Sequence, residues 1–210
     1  MHRSVRLILA CALLVAATFS PAIAGVVRVF SVSEGIQPSN VGTITLTQNG
    51  ANAVDVSVDL LDGYGFLNTG GPHTPFAFNL AGSGTLSISP FTTPAGGAFG
   101  SYTFSLNSSG GSNTPFGIFG VALDSKAPNG SGAAYYGDLL FTLNRTGGLD
   151  TGDFIANADG YFFSADLTDH TNTGAQAWKV SQVPVPAAFP LFLTALVGLG
   201  FFVGRKRASA

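Results

Sequence analysis

Cysteine is almost missing: Cys11 is the only one in 210 residues, and it lies in an apolar segment near the N-terminus. If that segment is removed on export, the mature chain has no thiol, which excludes disulfides and cysteine–zinc centres. Charge is scarce as well, at 10% of residues against about 25% in an ordinary soluble domain. Glutamate occurs once, at Glu34, and tryptophan once, at Trp178. Between residues 25 and 182 eleven acidic residues face only Arg28, Lys126, Arg145 and Lys179, a net charge of −7. Such a surface repels phosphates, so nucleic acid is excluded as a partner.

Constellations that carry chemistry are missing too. No G-x-S-x-G elbow occurs, and the only histidines beyond the N-terminal segment are His73 and His170, each in a loop and each read as solvated. Eleven acids spread over many strands offer no pair of carboxyls placed for glycoside hydrolysis. Asp153, Asn157 and Asp159 precede Gly160 as in a calcium loop, but an EF-hand would need ligands where Ile155 stands and a glutamate where Asp166 stands. They are read as turn residues. Trp178 is read as partly buried near the end of the domain. Three N-x-S/T triplets start at Asn107, Asn129 and Asn144 and are read as chance in so polar a chain. No catalytic, cofactor-binding or metal-ligating residue is assigned, and the chain is not expected to be an enzyme.

What is present sits at the two ends. Arg3 and Arg6 precede an apolar run over residues 7–19, followed by Ala22-Ile23-Ala24. A charged front, an apolar core and a small-x-small site describe a secretory signal peptide over residues 1–24, cleaved before Gly25. As a helix the run would reach only about 20 Å, too short to span a bilayer. Sec export machinery and signal peptidase are the partners this implies.

At the other end Val183-Pro184-Val185-Pro186-Ala187 leads into eighteen uncharged residues, 187–204, and then Arg205-Lys206-Arg207. Eighteen residues rise about 27 Å as a helix, enough to cross a thin bilayer. The cations hold the far end on the cytoplasmic side. Gly200 and Gly204 would allow a close helix contact. Prolines, apolar helix and basic stop in this order resemble the PEP-CTERM sorting domain of Gram-negative bacteria, in its Val-Pro-x-Pro-Ala variant, over about the last 28 residues. The resemblance implies recognition by an exosortase, a membrane-embedded protease acting near the prolines. It also implies passage from the inner membrane, with the ectodomain in the periplasm, to the outer membrane, cell surface or extracellular matrix. Val185 replaces the glutamate of Pro-Glu-Pro, which leaves open which sortase variant reads it.

Residues 25–182 form the domain between. Val54, Val56, Val58 and Leu60 alternate with Asp55, Ser57 and Asp59, one apolar face and one wet one. The same period marks Ile44 and Leu46, Phe76 to Leu80, Leu86 and Ile88, Tyr102 to Leu106, Leu139 to Leu143 and Tyr161 to Leu167. Further strands are expected over 26–32, 118–123 and 175–180. Turn pairs such as Asn49-Gly50 and Asp62-Gly63 separate them, and residues 149–155 allow at most one helical turn. About ten short strands imply an all-β fold, an antiparallel β-sandwich of jelly-roll type, its core filled by many of the 18 phenylalanines. The segment from Leu139 to Asp166 resembles exported PEP-CTERM proteins of unassigned activity, and more loosely carbohydrate-binding sandwiches.

The expected function is therefore that of an exported, membrane-tethered exosortase substrate, a non-enzymatic protein of the envelope or exopolysaccharide matrix. The alternative is a carbohydrate-binding module, calcium-assisted in one version, that grips extracellular polysaccharide. A hydrolase with an unrecognised site comes third.

Overall fold

The computed structural model describes residues 27–35, 40–90, 104–125 and 134–182. Fourteen strands occur among them: β1 (Val27–Gly35), β2 (Gly42–Gln48), β3 (Ala53–Leu60), β4 (Gly65–Phe66), β5 (Phe76–Leu80), β6 (Leu86–Pro90), β7 (Phe104–Asn107), β8 (Gly111–Ser112), β9 (Ile118–Phe119), β10 (Val121–Ser125), β11 (Leu139–Arg145), β12 (Phe154–Ile155), β13 (Phe163–Thr168) and β14 (Thr173–Gln182). The one helical element described there is a 3-10 turn at Thr151–Asp153, inside the stretch where the sequence allowed one turn. The all-β, antiparallel expectation holds.

Twelve strands form one sheet in the order β6-β11-β3-β2-β1-β14-β13-β5-β10-β7, with β4 and β12 attached to β13 and β5. The sheet curls until its halves face each other. Phe141 of β11 lies 6.3 Å from Phe76 and 6.5 Å from Phe78 of β5, ring centre to ring centre, although five strands in the sheet order separate β11 from β5. The result is a nearly closed, barrel-like sheet with β6 and β7 as its edges. The corner is β1. Val27 to Phe30 pair with β2, Val32 to Gly35 pair with β14, and the register slips between Val29 and Ser33. A bulge of this kind bends a strand and lets it pass from one layer to the next.

Alternation decides which face goes in. Val54, Val56 and Val58 are fully buried while Asp59 is exposed. Phe30, Phe66, Phe76, Phe78, Phe141, Phe154 and Phe163 fill the interior with Trp178. Their rings meet edge-on or offset, as at Phe30 and Phe163, 4.8 Å apart, the arrangement that ring quadrupoles favour. Trp178 is completely buried, deeper than the sequence suggested, and its Nε1 donates to the Gly42 carbonyl at 3.3 Å. At Asn49-Gly50 and Asp62-Gly63 the glycines hold φ of 78° and 90°, backbone that only glycine adopts cheaply.

Candidate functional site: a cleft beside the covered face of the sheet

On β13 every residue is buried, not every second one. Phe163, Ala165 and Leu167 point into the core, so Ser164, Asp166 and Thr168 must be covered from outside. The cover is the β8–β9 hairpin with the loop before β5. It lies on a bed of small side chains, Ala77, Ala122, Ala175 and Ala177, against which Phe116 and Phe119 pack. Asn113 fastens it. Its Oδ1 accepts from Thr74 N at 2.6 Å, and its Nδ2 donates to Thr74 O at 3.0 Å and to Ser164 Oγ at 2.8 Å. Being fully buried, this amide has to find such partners.

Where the cover ends, a cleft of about 530 Å³ opens, with Glu34, His73, Pro115, Phe116, Gly174 and Ala175 among its lining. Glu34 is held firmly at the rim. Its Oε1 accepts from Lys179 Nζ at 2.7 Å and from the Tyr161 hydroxyl. Lys179 sits 4.5 Å from the centre of the Tyr161 ring, which in turn meets Phe116 edge-on at 4.9 Å. The bond from Lys179, followed by that from Tyr161, holds the Glu34 carboxyl below its usual range; the carboxylate in return holds Lys179 and Tyr161 above theirs.

His73 also lines the cleft. Contrary to the solvated reading, its Nδ1 is buried and has no hydrogen-bond partner. Asp166 lies nearby on the covered face, in register with Ala175 of the cleft. Its Oδ2 accepts from Thr69 N at 2.9 Å and Thr69 Oγ1 at 2.6 Å, while Oδ1 is buried and unpartnered. Burial pushes this carboxyl up, against the bonds from Thr69 and the pull of His73.

Asp153 and Asn157 of the calcium-like stretch are engaged within the fold. Asp153 is the counter-ion of Arg145, Nη2 to Oδ2 at 2.5 Å. Asn157 Oδ1 accepts from Asp159 N at 3.0 Å and Tyr161 N at 2.9 Å, and its Nδ2 donates to Phe116 O at 2.8 Å. Asn157 therefore ties its own turn to the cover. Among the described residues no group of three or more His, Asp or Glu side chains is placed to hold a metal. His170 stacks on Tyr136 at 4.1 Å, with planes 8° apart, on another part of the surface. Asp138 is pushed up by burial and by the neighbouring Asp59 carboxyl. Asn107 Nδ2 donates to Asp124 Oδ2 at 2.9 Å, pinning β7 to β10.

Glu34, Tyr161 and Lys179 drew no attention in the sequence as a group, because they lie far apart along it. The one usable signal was that Glu34 is the sole glutamate. The cleavage residues Ala22, Ala24 and Gly25, the motif Val183, Pro184, Val185, Pro186 and Ala187, and the stop Arg205, Lys206 and Arg207 lie outside the described residues. So does the apolar run 187–204; within the described residues no helix is long and apolar enough to cross a membrane.

Compared with protein-family models, curated proteins and solved structures, the chain matches none.

Proposed function

We propose that this chain is an exported, membrane-tethered substrate of an exosortase-type sorting system, and that its ectodomain is a non-enzymatic component of the envelope or exopolysaccharide matrix. The observation that carries this reading is the order of features at the C-terminus: Val183-Pro184-Val185-Pro186-Ala187, then eighteen uncharged residues, then Arg205-Lys206-Arg207. Prolines disfavour regular structure and keep the backbone accessible, the apolar run enters lipid as a helix, and the cations stop it there. In this reading the barrel-like sheet is a jelly-roll-like sandwich ectodomain, and Gln182, the last residue of β14, is where it meets the sorting tail. Sec machinery exports the chain, signal peptidase cuts before Gly25, and the exosortase acts near Pro184 and Pro186.

Deleting 183–210 tests this. The truncated chain should leave the membrane fraction for the periplasm or medium, and replacing Pro184 and Pro186 by alanine should slow processing by a co-expressed exosortase while the chain stays in the membrane. Unchanged membrane fractionation of the truncated chain refutes the tether, and unchanged processing of the proline variant refutes the sorting signal. Carbohydrate binding is the second reading, favoured by the cleft at Glu34. Its calcium-assisted version gains nothing from Asp153 and Asn157, whose polar atoms are taken up within the fold.

A further inference from the structure

We propose that the cleft between Glu34 and His73 binds a neutral saccharide, a short stretch of an uncharged polysaccharide chain. The inference deepens the matrix reading and rests on it for the ligand's availability, while the binding itself rests on the groups around the cleft.

The first of these is the Glu34 carboxylate. Lys179 and Tyr161 both bind Oε1, and no hydrogen bond or ion pair engages Oε2 among the described residues. The carboxylate is thus fixed before any ligand arrives, and a fixed acceptor loses little freedom on binding. A free carboxylate oxygen takes hydroxyl donors in charge-assisted bonds. The second is His73, which lines the cleft; its Nδ1 is buried, and the rest of its imidazole can donate to or accept from a hydroxyl according to its tautomer.

Apart from these groups and Thr114, the lining is small or apolar: Gly35, Pro115, Phe116, Gly174 and Ala175. A sugar ring presents this pattern in reverse, with hydroxyls round its edge and C–H groups on its faces. The volume of about 530 Å³ falls within the usual 300–1,000 Å³ of small-ligand sites.

Charge narrows the class. Among the described residues no Lys or Arg lines the cleft, Lys179 beside it is paired with Glu34, and residues 25–182 carry a net −7. Phosphorylated or carboxylated ligands would meet a repulsive field there. Position fits the use. Gly174 and Ala175 stand seven to eight residues before Gln182 on β14, about 23–26 Å along an extended strand. The cleft therefore opens well away from the residue that leads into the proposed tether.

The full-length chain in detergent micelles is probed on an array of neutral and charged glycans, and binding is quantified by calorimetry with cellotetraose, maltotetraose and mannotetraose. Tetragalacturonate and 1,5-diaminopentane serve as anionic and cationic arms. At least one neutral tetrasaccharide should bind and tetragalacturonate should not. Glu34→Gln should weaken binding about tenfold, the loss of one charge-assisted bond, and His73→Ala several-fold. Trp178 fluorescence and urea midpoints close to those of the parent chain establish that both variants fold. Binding to no neutral glycan, binding unchanged in both folded variants, or a preference for the diamine overturns the assignment. Membrane fractionation of Glu34→Gln and of the chain lacking 183–210 separates the two claims: release of the truncated chain with no sugar binding removes the cleft inference alone, and sugar binding with unchanged fractionation of the truncated chain removes the tether alone.

Discussion

Replacing Asp153 by alanine should cost about 3 kcal/mol, and the structure shows where that sum arises. Arg145 ends β11 with its side chain 9% exposed. Its Nε donates to Gly148 O at 2.6 Å, Nη1 to Ala81 O, and Nη2 to Asp153 Oδ2 at 2.5 Å. One guanidinium thus pins the turn after β5 and the 3-10 turn to the end of β11. Removing the partner of a fully buried pair typically costs 3–5 kcal/mol. The Asp153 side chain is 25% exposed, so water would reach the stranded guanidinium and about 2 kcal/mol is the better figure. Asp153 Oδ2 also accepts from Asp150 N at 3.0 Å in a reciprocal capping box, worth about 1 kcal/mol. For a domain of this size a total of about 3 kcal/mol lowers Tm by roughly 6–12 °C. Urea unfolding of the full-length chain, followed by the fluorescence of the single buried Trp178, measures it directly. Asp153→Asn keeps the shape and one acceptor and should lose about half as much, and EDTA should change neither midpoint. A loss below about 1 kcal/mol for alanine, or parent-like stability for asparagine, refutes the ion-pair reading. A downward shift of the parent midpoint with EDTA that is absent in Asp153→Ala would make Asp153 a cation ligand instead.

Two further perturbations probe the covered face and the pairing of β2 with β3. Asp166 has its pKa raised by burial, so its contribution to stability is present below the unfolded carboxylate value and is lost as pH rises through the folded one. Asp166→Asn should therefore flatten the fall in stability above about pH 4 and leave the chain more stable at pH 7; an unchanged pH profile in urea titrations contradicts this. Gly42 has φ of 157°, and a Cβ there would lie 2.3 Å from Asp59 O. Gly42→Ala should cost at least about 2 kcal/mol, since β2 must move away from β3, and a urea midpoint within error of the parent would show that the strands yield freely.

The sheet was legible wherever one side of a strand stays wet. In β3 and β11 the alternation of Val, Leu and Phe with Asp, Ser and Thr marks both the strand and its inner face. Alternation fades where a second layer covers the outside. On β13 the alternation still marks Phe163, Ala165 and Leu167 as the inner face, but Ser164 and Asp166, with Ala175 and Ala177 of β14, are buried as well, so the pattern does not show that the outer face is covered. The β8–β9 hairpin has two residues per strand, too few for any period, and its fastener Asn113 looks like any loop asparagine. Asp153 was read as a turn residue, and Asp150-Thr151-Gly152-Asp153 spells the capping box that the structure forms; its pairing with Arg145 of β11 has no local pattern. The cleft was illegible because pairing of β1 with β14 creates it, and no local pattern states that pairing.

That pairing also decides how the domain closes. Val29 of the first strand stands opposite Gln182 at the end of the last, so the sheet cannot be completed until almost the whole domain is available, a contact with a large loop-closure cost. Trp178 enters the core on the same strand, opposite both Ser33 and Phe163, so core filling and closure occur together. In the proposed topology the signal is removed two residues before β1 begins and the tether begins directly after β14 ends. Both operations then take place at one end of one strand pair, while Glu34 and Ala175 stand at its other end. A domain hung in this way can be cut and transferred near Pro184 without any change to the Glu34–Lys179–Tyr161 cluster, and binding at the cleft need not wait for release from the membrane.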